Sequence, residues 1–120
     1  MKSYVPLEKS GGGTELNILT MAAANTVANG RGYGYLQLDV SKIKTLTIGS
    51  ITTTGGASLG SNGYLRARTV GGTSTIKNFS ISNNPQTVDI TNYNAIELSI
   101  YFEASSSAYA SIRMNNITGK

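Results

Sequence analysis

One motif occurs twice in this chain, fifty positions apart, and it limits the folds open to the chain more than any other feature. Leu38-Asp39-Val40-Ser41-Lys42-Ile43-Lys44-Thr45-Leu46-Thr47-Ile48 aligns without gaps on Val88-Asp89-Ile90-Thr91-Asn92-Tyr93-Asn94-Ala95-Ile96-Glu97-Leu98. Each copy reads apolar, Asp, β-branched apolar, hydroxyl, a short turn, then an alternating strand. Alternation at period two gives a strand one buried face and one wet face. Two such copies predict two related strand pairs that contribute to both sheets of a sandwich.

The rest of the chain agrees. β-branched and aromatic enrichment marks strands over 33–40, 43–51, 63–70, 74–82, 86–90, 95–104 and 107–117, with a further short strand over 15–21 that places Leu16, Ile18 and Thr20 on one face. Gly55-Gly56, Ser61-Asn62-Gly63, Gly71-Gly72 and Asn83-Asn84-Pro85 supply turns between them. The small-residue stretch from Ala22 to Gly32 interrupts the pattern, and Met21–Ala24 is compatible with a helical turn that Asn25, Asn29 and Gly30 would end. Strands at this spacing make an all-β sandwich. A second likeness, Gly63-Tyr64-Leu65-Arg66-Ala67-Arg68 against Ala108-Tyr109-Ala110-Ser111-Ile112-Arg113, sets out two related units over about 36–70 and 86–115. Internal duplication and repeated use of one strand pattern both account for it.

Before the sandwich, expected over 15–120, lies an arm over 1–14 that ends in Ser10-Gly11-Gly12-Gly13-Thr14. Consecutive glycines carry a large entropy cost of ordering, so a hinge and a flexible N-terminal arm are expected. Tyr4, Val5, Pro6 and Leu7 give that arm an extended apolar strip suited to anchoring.

Composition excludes several classes of function. Charged residues make up 13% of the 120-residue chain, about half the usual share, and the net charge of +4 comes from scattered lysines and arginines. A run of basic residues, which nucleic-acid binding calls for, is missing. The chain has no Cys and no His, so it lacks disulfides, thiol chemistry, the commonest general base and the commonest metal ligand. Neither a membrane-spanning apolar stretch nor a signal peptide is visible, because Glu8 falls where an apolar region would be needed. A chain of this kind is expected to be made in a host cytoplasm without an export signal.

Val88-Asp89-Ile90-Thr91-Asn92-Tyr93, followed by Ile96-Glu97-Leu98-Ser99-Ile100, resembles the corner of carbohydrate-binding-type jelly-roll sandwiches. Modules of that kind recur in tailed-bacteriophage virion proteins: tail and fibre appendages and capsid decorations. Over residues 33–117 the resemblance implies a single, two-sheet antiparallel jelly roll with an accessory role in adhesion or assembly.

No catalytic constellation is visible. Asp39 and Asp89 could serve as Ca²⁺ ligands or bond local backbone N–H groups in a turn; apolar flanks and the lack of an Asp-rich loop favour the turn. Glu97 and Glu103 read as solvated carboxylates on a strand face. Gly30-Arg31-Gly32-Tyr33-Gly34 looks like a phosphate loop but precedes no helix. The strongest remaining signal is aromatic and basic: Tyr64, Arg66 and Arg68 on one side of a strand, Tyr109 with Arg113 on another, and Tyr33 with Tyr35. Tyr offers a flat apolar ring with a polar tip, and Arg a planar fork of donors. These seven residues form the expected ligand or partner surface. The functional expectation is a non-enzymatic virion protein that decorates a capsid or tail, without metal or cofactor. Its partners would be other virion proteins or copies of itself in a homo-oligomer, with neither nucleic acid nor membrane. The alternative is an adhesin module that binds a host-surface glycan through its Tyr and Arg faces; the chain has no Trp, a common sugar platform.

Overall fold

The computed structural model describes Val5–Pro6, residues 16–103 and residues 107–120. The strands are β1 (Val5–Pro6), β2 (Leu16–Ala24), β3 (Gly32–Asp39), β4 (Thr45–Thr54), β5 (Tyr64–Arg68), β6 (Thr75–Asn78), β7 (Gln86–Asp89), β8 (Ala95–Phe102) and β9 (Ser111–Gly119). One sheet has the order β1-β3-β8-β5-β6 and the other β2-β9-β4-β7. Apart from β1, which lies parallel to β3, all pairings are antiparallel. The described residues are all β, as the strand pattern predicted.

The eight longer strands pair in nested fashion: β2 with β9, β3 with β8, β4 with β7, β5 with β6. That is one long hairpin rolled up so that successive pairs fall in alternate sheets, which is the jelly-roll arrangement. The strand order is unchanged when β2, β3, β4 and β5 are exchanged for β6, β7, β8 and β9. The exchange carries each sheet onto the other.

This symmetry accounts for the repeated motif. The corner after β3 and the corner after β7 lie side by side and trade equivalent bonds. Val40 N donates to Asn94 O at 2.9 Å, and Ile90 N donates to Lys44 O at 2.8 Å. Within the corners, Asp39 Oδ1 accepts from Ser41 N at 2.9 Å and Ser41 Oγ at 2.6 Å, while Asp89 Oδ1 accepts from Thr91 N and Oγ1 at the same two distances. These bonds, hydroxyl first and backbone second, hold both carboxyls below their ordinary range. Asp39 and Asp89 are therefore turn formers. Val40 and Ile90, the residues after them, plunge into the core.

Alternation decides what is buried. Leu38, Leu65, Ala67, Ile96, Leu98, Ile100 and Phe102 line the inner face of the five-stranded sheet, and Leu46, Ile48, Ile51, Val88, Ile112, Met114 and Ile117 line the other. Each large side chain so buried contributes roughly 1.5–3 kcal/mol. Gly32 belongs to this packing, because a Cβ there would clash with the edge of the Phe102 ring.

One local expectation is corrected. Met21–Ala24 is strand, not a helical turn, because Met21, Ala22, Ala23 and Ala24 pair in sequence with Met114, Arg113, Ile112 and Ser111. The inward face of β2 runs through Leu19, Met21 and Ala23, and Thr20 is exposed. Bulges between Leu16 and Leu19 and between Leu19 and Met21 shift the register, and the side chains of Leu16 and Ile18 lie outside the described ones. Of the arm, Val5 and Pro6 form β1 beside Leu38 and Asp39. Tyr4, Leu7, the glycine run and the expected boundary at 14/15 lie outside the described residues.

Candidate binding face on the five-stranded sheet

Residues that point away from the core on β3, β8 and β5 meet in three cross-strand rows. The first is Tyr33–Tyr101–Tyr64, the second Tyr35–Ser99–Arg66 and the third Gln37–Glu97–Arg68. Strict alternation puts them on one face, and neighbouring strands bring directly opposed side chains within contact.

The rings form a shelf. Tyr33 lies 6.0 Å from Tyr35 and 6.4 Å from Tyr101 between ring centroids, and Tyr101 lies 5.5 Å from Tyr64. All are tilted or edge-on, the arrangements that ring quadrupoles favour. Tyr33 and Tyr35, on the outermost long strand of the sheet, remain 51% and 56% exposed. The Arg66 guanidinium carbon sits 3.7 Å above the Tyr64 ring.

In the third row of the same face lies a buried ion pair. Arg68 Nε and Nη2 each lie 2.9 Å from Glu97 Oε1, and Gln37 Nε2 donates to Glu97 Oε2 at 3.4 Å. Glu97 is 4% exposed, so it is not the solvated carboxylate that alternation alone suggests. Arg68 also donates to the Tyr33 hydroxyl at 3.3 Å. Burial works against the Arg68 charge, but the Glu97 hydrogen bond and charge outweigh it and raise its pKa. At the end of the face, the Tyr101 hydroxyl donates to Glu103 Oε2 at 2.9 Å, and Arg31 Nε approaches the same oxygen at 3.7 Å. The Tyr101 bond, opposed by burial, holds the Glu103 carboxyl below its usual range. Burial, joined by that bond, pushes the Tyr101 hydroxyl up.

Five of the seven expected surface residues, Tyr33, Tyr35, Tyr64, Arg66 and Arg68, thus converge. Tyr109 and Arg113 do not join them. Arg113 is exposed on β9, in the other sheet. Tyr109 lies in the turn before β9, not on the strand, at φ 60° and 76% exposure. Its N–H donates to Asn25 O at 3.0 Å, which ties it to the loop after β2. The remaining members of the face, Tyr101, Glu97, Ser99 and Gln37, were absent from the expected surface. The signal for three of them was present in Ile96-Glu97-Leu98-Ser99-Ile100-Tyr101-Phe102, whose alternation puts Glu97, Ser99 and Tyr101 on one side. Only the pairing of β8 between β3 and β5 shows which rings they meet.

Among the described residues no cavity opens, and no group of three acidic side chains gathers where it could hold a metal. The face can offer flat ring surfaces, phenol hydroxyls and guanidinium N–H groups to something laid across it. Comparison of the chain with protein-family models, with curated proteins and with solved structures finds no match.

Proposed function

We propose that this chain is a non-enzymatic structural module of a phage virion, and that the tyrosine–arginine face is its adhesive surface for a bacterial envelope polysaccharide. The observation that carries the reading is the in-register shelf of Tyr33, Tyr35, Tyr64 and Tyr101 beside the buried Arg68–Glu97 pair. Small-molecule sites are concave, whereas an open face suits an extended polymer lying along it. Tyrosine rings accept the apolar faces of sugars, and their hydroxyls with Arg66 supply hydrogen bonds at the margins. Because the rings sit on paired strands and Arg68 is fixed by Glu97, little ordering remains to oppose binding. The resemblance of the Asp89 corner to jelly-roll modules of tailed phages supports the setting, and the lack of His and Cys supports a role without chemistry.

A second reading keeps the decoration role and puts another virion protein on the same face. Tyr and Arg clustered at the centre of a patch are the residues that dominate protein interfaces, and this favours it. Binding of the purified protein to intact bacteria and to their extracted polysaccharides separates the two. Saturable binding to polysaccharide, lost in a Tyr33→Ala/Tyr35→Ala double variant, is expected. Cell binding that survives removal of the polysaccharide would transfer the face to a protein partner.

A further inference from the structure

The charges on this face do not balance. Arg68 is paired with Glu97 and Arg31 with Glu103. Arg66, at the β5 end of the middle row, is stacked on Tyr64, and no carboxylate among the described residues lies within ion-pair distance of it. Ser99, directly across from it on β8, is fully buried, and neither Ser99 Oγ nor Arg66 Nε has a hydrogen-bond partner. Polar groups buried this way are ordinarily satisfied, so their occurrence together marks the spot.

Resting on the polysaccharide reading above, we infer that Arg66 selects a carboxylated polysaccharide, one built from uronic-acid-type sugars, by receiving the sugar carboxylate while the pyranose rings lie on Tyr33, Tyr35 and Tyr101. The Tyr64 ring, 3.7 Å from the guanidinium carbon, restrains the head group, which leaves its Nη groups to meet a ligand. A planar guanidinium matches a carboxylate through two parallel N–H···O bonds, a geometry that a lysine ammonium cannot reproduce. The stacked position also removes part of the water around the cation, which strengthens attraction to an anion. Charge complementarity is one to one: a single unpaired cation on the shelf and a single carboxylate per sugar.

The test compares polymers with the same backbone. Polygalacturonate carries the carboxylates, and its fully methyl-esterified form hides them. The wild-type protein is expected to bind polygalacturonate about tenfold more tightly than the ester, the scale of one hydrogen-bonded charge. Arg66→Gln is expected to bring polygalacturonate affinity down to that of the ester, and Arg66→Lys to recover only part of the difference. Should Arg66→Gln fail to fold, the wild type still decides: the preference for acid over ester must shrink as salt rises. Equal binding of acid and ester, or Arg66→Gln that discriminates like the parent, overturns the inference while leaving the polysaccharide reading intact. Dextran sulfate bound as tightly as polygalacturonate by parent and Arg66→Gln alike would show diffuse attraction to net charge, and also overturns it. No saturable binding to polygalacturonate overturns it outright. The cell-binding experiment on the same preparation then decides separately whether the polysaccharide reading falls as well.

Discussion

The outer faces of the two sheets are built by the same alternation and filled with opposite chemistry. On the four-stranded sheet the outward side chains of β4 and β9, the exposed Arg113 apart, include hydroxyls and amides that satisfy one another. Thr54 Oγ1 and Ser111 Oγ lie 2.7 Å apart, and Asn115 Nδ2 donates to Thr52 Oγ1 at 3.0 Å and Ser50 Oγ at 3.3 Å. On the five-stranded sheet the same positions hold tyrosines, a buried ion pair and one unmatched cation. A face made of mutually satisfied small polar groups has little to gain from a partner. A face with half-exposed rings and an unpaired guanidinium still has hydrophobic area and charge to offer. The proposed placement of the binding surface rests on that difference, because the backbone architecture of the two sheets is equivalent.

The comparison can be broken at its strongest point first. Arg68→Ala leaves Glu97 buried without its partner, and should lower stability by about 3 kcal/mol. Asn115→Ala on the opposite face removes two ordinary hydrogen bonds and should cost about 1 kcal/mol. Urea denaturation of the two variants measures both, and equal losses would mean that the two faces differ in composition only. Next in size, Tyr33→Ala/Tyr35→Ala should abolish partner binding while changing stability by no more than about 1 kcal/mol, since both rings are mostly in water. Loss of folding along with binding would turn these rings into packing residues.

Acid acts on the two Asp corners and on the Glu103 end of the tyrosine face. The carboxyls of Asp39, Asp89 and Glu103 are all held below their ordinary range by hydrogen bonds made in the folded state. A lowered folded pKa contributes stability that is fully present above the unfolded value and is lost as pH falls through the folded one. The melting temperature should therefore drop as pH descends below the ordinary carboxylate range. An Asp39→Asn/Asp89→Asn variant should start lower and flatten that acid limb, and an unchanged limb would remove the corners from the pH response. The smallest effect should come from Thr54→Val, which gives up one part-buried hydroxyl pair and should shift stability by about 1 kcal/mol or less. A larger loss would mean that the hydroxyl network is cooperative.

Much of this could be read along the chain. The equal spacing of Asp39-Val40-Ser41 and Asp89-Ile90-Thr91 announced two equivalent corners because the Asp–hydroxyl turn is local, closing over two residues. Period-two runs such as Leu36–Val40 and Ile96–Ile100 announced strands and their buried faces for the same reason. Where a bulge or kink interrupts the period, that reading fails. In β4 the inward positions pass from Leu46 and Ile48 to Ile51, and in β9 from Ile112 and Met114 to Ile117, where Gly49 meets Asn116 at φ 53°. Tyr109 shows the same limit, because a turn stitched to Asn25 removed it from the strand that its likeness to Tyr64 suggested.

From its own residues the chain determined that it would be all β, where most strands would lie, and that two Asp corners would be alike, since all of these depend on neighbours a few positions away. Only the tertiary structure decided that Tyr33, Tyr64 and Tyr101 share a row, that Glu97 is buried on the same face, and that Arg66 stands on that face without a counter-charge among the described residues. Those relations join residues thirty or more positions apart, and they exist only because β8 lies between β3 and β5 in a definite register.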